Sequence, residues 1–135
     1  MLSDSDEELI EAARAVLKAR FKTGRHAVGS AVRTRSGRIH VGLNVECYVT
    51  RISVCAEAVA IGRASVEGEG EEIETVVAVR QASADDPKAR VVSPCGMCRE
   101  MISDYAPGAR VIVPNGAGAA AVPVSSLLPN KYVRP

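Results

Sequence analysis

Residues Ser53–Gly62 read SVCAEAVAIG, and residues Ser93–Glu100 read SPCGMCRE. Each opens a stretch of helical character with thiols at its head: Cys55 in the first, Cys95 and Cys98 in the second. The first also sets a carboxylate, Glu57, in a turn otherwise built of small apolar residues. Strands surround both stretches. Before the first, residues 27–34 (AVGSAVRT) and 38–45 (RIHVGLNV) read as two strands joined at the Ser36-Gly37 turn. Between them, IETVVAVR has the composition of a buried strand, and the polar loop QASADDPKAR follows it. After the second, ARVIVP is a fourth strand. The Gly/Ala run NGAGAAA then leads to AVPVSSLLP, read as a short edge strand, which suits Pro123, and a final turn. At the other end, Leu9, Ala13, Val16, Leu17 and Phe21 recur at helical spacing. They predict a first helix over 5–22, with Ser5 and Glu8 as its capping box and Gly24 as its stop.

The resulting order is α-β-β-α-β-α-β-β, a mixed sheet of about five strands in an α/β protein. Strands two to four make two consecutive βαβ units, expected to be parallel and right-handed. Both later helices then begin at the carboxyl edge of the sheet, where open α/β sheets place their ligands. That topology brings Cys55, Glu57, Cys95 and Cys98 to one place. In the second strand Ile39, Val41, Leu43 and Val45 share one face. Arg38, His40, Gly42, Asn44 and Glu46 take the other, where His40 is expected to be solvated or hydrogen-bonded.

The bulk numbers exclude several classes of function. A chain of 135 residues fits one domain, 1–135, with one core. The net charge of +1 supplies no field for nucleic acid or an anionic membrane. One Phe, three Tyr and no Trp are too few for a surface that stacks single-stranded bases. No apolar run reaches spanning length, and the acidic, amphipathic start MLSDSDEELIEAARAVLKAR does not read as a secretory signal. Four cysteines without such a signal point to a reducing, cytoplasmic setting and to metal or catalytic thiols.

Free N–H groups and the helix dipole stabilise a thiolate at a helix N-terminus. Three thiolates at two such ends can grip one zinc and leave its fourth position open to water, the pattern of a catalytic zinc. Zinc lowers the pKa of that water toward neutrality. Glu57, two residues past Cys55, would stand beside the metal and carry a proton from the water to a departing group. Other readings remain open on these residues alone. Cys-x-x-Cys also serves redox motifs, although that reading leaves Glu57 without a task. Cys47 could close a structural four-thiolate site, and all four cysteines could be buried small residues. The GAGAAA run is too irregular for a phosphate loop.

Cys55-Ala56-Glu57 followed by Pro94-Cys95-Gly96-Met97-Cys98-Arg99 resembles the cytidine deaminase family, in the three-cysteine form of the zinc-deaminase signature. GRIHVGLNVE before the first motif and SSLLPNKY at the end extend the resemblance over nearly the whole chain. It implies a three-layer α/β/α sandwich, one zinc per chain, and hydrolytic deamination at C4 of a cytosine ring. By this resemblance Cys55, Cys95 and Cys98 hold the zinc and Glu57 shuttles protons. Asn44 and Glu46 match the Asn-x-Glu pair that holds a sugar hydroxyl, and the Ala56 backbone meets the pyrimidine edge. A homotetramer with shared active sites is also implied, with helix-two residues Ala60 and Ala64 offering a small face for a neighbouring subunit.

The chain departs from the family at three places. His26-Ala27-Val28-Gly29 stands where many members have Phe-Pro-Val-Gly, so His26 becomes a candidate pocket residue. Ala58 follows the catalytic Glu where many have Arg, which leaves Arg99 to offset the thiolate charge. Ala58 and the ending LLPNKYVRP look more like blasticidin S deaminase, whereas Asn44-x-Glu46 favours the cytidine branch. Tyr132 is a second candidate for the pocket, and Arg51 is expected to be exposed. The expected activity is conversion of cytidine or deoxycytidine to the uracil nucleoside. A nucleoside antibiotic such as blasticidin S is the alternative substrate, and a non-catalytic zinc module the alternative of another class.

Overall fold

The computed structural model describes residues 2–135. Helix α1 (Asp4–Arg20) is capped by Ser3, two residues earlier than Ser5. The segment SDSDEE offers two overlapping capping boxes, and the earlier one forms. The Ser3 hydroxyl accepts from the Asp6 N–H, and Asp6 Oδ2 accepts from the Ser3 N–H, both at 3.1 Å. Asp6 is buried and receives a 2.9 Å bond from Arg110, a tertiary contact that local spacing does not reveal. The helix ends at Phe21, three residues before Gly24, which takes φ 76° in the turn that follows.

Strands β1 (Val28–Thr34) and β2 (Ile39–Leu43) form the expected hairpin, with Gly37 at φ 89° in its turn. β3 (Ile73–Arg80) lies antiparallel to β1. β5 (Arg110–Asn115) runs parallel to β3, and β6 (Gly118–Pro123) pairs antiparallel with β5. The described residues thus form a mixed sheet in the order β2-β1-β3-β5-β6. A sixth strand, β4 (Arg90–Val92), sits off this path, antiparallel to the last three residues of β3. It adds a short sixth strand to the expected five-stranded core. Three residues at the end of a polar loop carry too little alternation to be read as a strand. The edge strand also differs: it is the Gly/Ala run itself, GAAAVP, and VSSL forms a 3₁₀ turn. β2 and β3 run in the same direction but are not neighbours, because β1 lies between them.

Alternation along the central strands sends side chains to two cores. Ala31, Val77, Val79 and Ile112 pack with Leu9, Ile10, Ala13 and Leu17 of α1. Val32, Val76 and Val111 point the other way, onto Ala60, Ile61 and Ala64 of α2 (Ala56–Val66) and Ile102 of α3 (Gly96–Tyr105). The result is three layers, with α1 on one face of the sheet and α2 and α3 on the other. Each fully buried Val, Leu or Ile contributes roughly 1.5–3 kcal/mol. Because Ala60 and Ala64 are fully buried against the sheet, they offer no face to a neighbouring subunit, contrary to the sequence expectation.

The polar face of β2 is buried under α2. A Cβ on Gly42 would lie 2.5 Å from the Ala60 nitrogen and 2.6 Å from the Ala56 carbonyl oxygen. Only glycine admits the helix at that approach. Its neighbour His40 is likewise buried, and its Nε2 lies 2.8 Å from Glu69 Oε1, just past the end of α2. Hydrogen bonds from Ser36 and His40 hold the Glu69 carboxyl at about 2, below its ordinary range. This network ties the end of α2 to the β1–β2 turn, so the helix is fixed at both ends. No helix among the described residues is long and apolar enough to cross a membrane.

Candidate active site

β2 and β3 point their carboxyl ends to one edge of the sheet, and the chain enters α2 and α3 there. Cys55 is the N-cap of α2 and Cys95 the N-cap of α3, and no hydroxyl, carboxylate or carboxamide caps either helix start. The first-turn N–H groups are thus left to negative charge on the thiols. Cys98, the third residue of α3, turns back toward Cys95 and is buried. The three Sγ atoms lie within 4.8 Å of one another, with Cys55 and Cys95 at 3.5 Å. Zinc–sulfur bonds of about 2.3 Å in a tetrahedron place sulfurs about 3.8 Å apart, so the three thiols fit a zinc ion. Cys47 stands outside this group, its N–H bonded to Ser53 Oγ at 2.9 Å.

The protonation of these groups follows from their burial. Burial, then the negative charges of Glu57 and Cys55, pushes the Cys98 thiol up, and burial also raises Cys55. Burial raises Cys95 as well, but bonds from the Cys98 N–H and the Cys55 thiol outweigh it and hold Cys95 below its ordinary value. A bound cation reverses the upward bias, since a coordinated thiol is deprotonated outright. Glu57 is 5% exposed, and burial raises its carboxyl too. The carboxyl lies within hydrogen-bond reach of Cys98, beside the thiol group.

A cavity of about 270 Å³ opens over these residues. Its lining comprises Cys55, Ala56, Glu57 and Cys95, the apolar Val28, Val54 and Val92, and the polar Asn44, Ser53 and Ser93. Val28, Val54, Val92 and Ser93 were not singled out in the sequence. Val92 and Ser93 come from the end of β4, the strand that local pattern did not reveal.

The remaining sequence candidates are placed differently. Asn44 lines the cavity, while Glu46 is exposed and outside its lining, its backbone exchanging bonds with Arg25. His26 is also outside the lining; its Nδ1 lies 2.8 Å from the Asn44 carbonyl oxygen. Arg99 donates to the carbonyls of Pro94 (2.9 Å) and Leu127 (3.1 Å), bracing the loop that carries Cys95 rather than bonding a thiol. Tyr132 is 74% exposed, and Arg51 is exposed in a 3₁₀ turn, Thr50–Ile52.

Residues 3–113 match the model of the family described as the cytidine and deoxycytidylate deaminase zinc-binding region. A blasticidin-S deaminase of Bacillus cereus is 42% identical to the chain, across 98% of this chain and 96% of its own length. A cytidine deaminase of Halalkalibacterium halodurans is 34% identical, across 80% of this chain and 78% of its own. The 1.6 Å crystal structure of cytidine deaminase from Burkholderia pseudomallei superposes with a TM-score of 0.76 at 25% identity, covering 97% of this chain and 100% of that one.

Proposed function

The chain belongs to the cytidine and deoxycytidylate deaminase family of zinc-dependent hydrolytic enzymes, and we propose that its substrate is a free cytosine nucleoside. The observation that carries this reading is one cavity lined by Cys55, Cys95, the buried Glu57 and Asn44, with the third thiol, Cys98, within 4.8 Å of the other two. Cys55, Cys95 and Cys98 are the zinc ligands in this reading, and zinc held there supplies a Lewis acid that activates the attacking water. Glu57 takes the proton from that water and delivers it to the C4 amino group as the C–N bond breaks. Water is consumed, and ammonia and the uracil nucleoside leave. The Ala56 backbone, at the free N-terminus of α2, meets the pyrimidine edge. Val28, Val54 and Val92 keep competing water from the ring.

Asn44 and the exposed Glu46 are assigned to a sugar hydroxyl. The Glu46 carboxylate also disfavours a phosphate. A hydrogen bond involving a charged group is worth about 1.5–3 kcal/mol, or roughly ten- to hundredfold in discrimination. Cytidine or deoxycytidine should therefore outperform both cytosine and cytidine monophosphate when ammonia release is measured across this panel. Better turnover of the base or the monophosphate overturns the sugar assignment. A second reading, deamination of blasticidin S, is favoured by the 42% identity to the Bacillus cereus enzyme over nearly its full length. With blasticidin S added to that panel, its turnover to the exclusion of the other compounds selects this second reading.

We also infer a homotetramer with shared sites. Tyr48, Val49 and Ile52, in the segment entering the cavity wall at Ser53 and Val54, are 94, 57 and 61% exposed. Such a run of bare apolar side chains marks an interaction surface. Light scattering should report four chains, and a stable, fully active monomer overturns the inference.

A further inference from the structure

Asn44 is held on every polar atom but one. Its backbone N–H donates to the Val28 carbonyl at 3.1 Å. Its backbone carbonyl lies 2.8 Å from His26 Nδ1, and because a carbonyl only accepts, that ring nitrogen is the one carrying hydrogen. Its side-chain Oδ1 accepts from two backbone N–H groups, Ala27 at 2.9 Å and Val28 at 3.0 Å. Two donors converging on one atom identify it as the oxygen and so settle which way the carboxamide points. The remaining atom, Nδ2, has no hydrogen-bond partner among the described residues, and Asn44 lines the cavity beside Glu57.

We propose that His26 is a positioning residue which, with the Ala27 and Val28 N–H groups, locks Asn44 so that only a donor faces the cavity; the substrate atom read there is an acceptor oxygen. The segment 22–28 acts as a clasp. The Lys22–His26 bridge fixes the ring's own backbone, and Ala27 is pinned on its far side by the Gln81 N–H bonding its carbonyl at 2.9 Å. Arg25, next in the clasp, accepts from the Glu46 N–H at its carbonyl, donates from its guanidinium to the Glu46 carbonyl, and holds that guanidinium 5.1 Å from the Tyr48 ring. The clasp therefore grips the strand end on both sides of Val45. His26 never touches the substrate; it acts through the Asn44 main chain. The acceptor selection rests on the nucleoside reading above, while the lock itself does not.

Three variants test the proposal, with kinetics on cytidine and on blasticidin S and with amide hydrogen exchange. His26→Phe keeps a ring but loses the donor, whereas His26→Asn places an amide nitrogen near the position of Nδ1. In His26→Phe, KM should rise about 2- to 10-fold, the effect of one neutral hydrogen bond, with kcat within about twofold of wild type. Exchange at the Ala27 and Val28 amides should quicken while the β1–β3 ladder stays protected. His26→Asn should restore both readings. Asn44→Asp keeps an acceptor for the two amides, so their protection should persist, but it turns the cavity-facing donor into a charged acceptor. Its KM should rise about 10- to 100-fold. Unchanged KM and exchange in His26→Phe, or equal impairment in His26→Asn, overturns the positioning role. Wild-type KM in Asn44→Asp overturns the acceptor selection. A wild type that deaminates neither compound sinks the nucleoside reading, and the exchange result still decides the lock.

Discussion

Glu57→Gln is expected to bind zinc and fold as the wild type does while losing turnover by about 10²- to 10⁴-fold, the range of a positioned general acid–base group. Glutamine matches the carboxylate in shape, so the 5%-exposed pocket around residue 57 keeps its packing. It can donate a hydrogen bond, but it accepts no proton from water and returns none to the leaving amine. The two transfers fail together, and for that reason the loss is large. Burial already raises the affinity of the Glu57 carboxyl for a proton, which suits a group that must hold one between two steps. Zinc content, melting temperature and steady-state rates measured side by side check the expectation. Activity within a few-fold of wild type, with zinc retained, sinks the assignment.

Cys98→Ser should cost the protein its zinc and its activity. Cys98 is 1% exposed and sits inside the first turn of α3, so no solvent-borne donor easily takes the place of its sulfur. A serine hydroxyl there stays protonated and is a poor ligand, and the two remaining thiols make an incomplete site. The variant should nevertheless fold. Burial, then the charge of Glu57, pushes the Cys98 thiol up toward its uncharged form, which a serine hydroxyl also keeps, so the exchange adds no buried charge. Metal analysis after dialysis should find about one zinc per chain in the wild type and a background level in Cys98→Ser. Cys47→Ser serves as the control. Cys47 lies outside the thiol group, bonded through its backbone to Ser53, and its replacement should leave zinc unchanged. Zinc loss in the Cys47 variant, or retention in the Cys98 variant, would show that the ligand set is misassigned.

By itself, the sequence determined the features that depend on near neighbours in the chain. Helical spacing from Leu9 to Phe21, alternation at residues 38–45 and the strand composition of 27–34 and 73–80 placed the main elements within a few residues of where they lie. Cys55 and Cys95–Cys98 fell at helix starts, and the β-α order carried both to one edge of the sheet, so the thiol cluster and Glu57 were legible before any coordinates. Tertiary structure alone decided what depends on partners distant in sequence. Asp6, the partner of Ser3 in the cap that forms, is also held by Arg110 from 104 residues away. His40 was expected to be solvated or hydrogen-bonded; the structure buries it against Glu69, and only the close approach of Ala56 and Ala60 explains Gly42 beside it. β4 exists because β3 offers it a ladder; its three residues carry no period long enough to announce it. Asn44 could be named from its motif, but the direction of its carboxamide could not. That direction follows from two N–H groups 16 and 17 residues away converging on one oxygen. Periodicity is a property of adjacent residues and survives in a string of letters; hydrogen-bond direction and close approach are properties of pairs that only folding brings together.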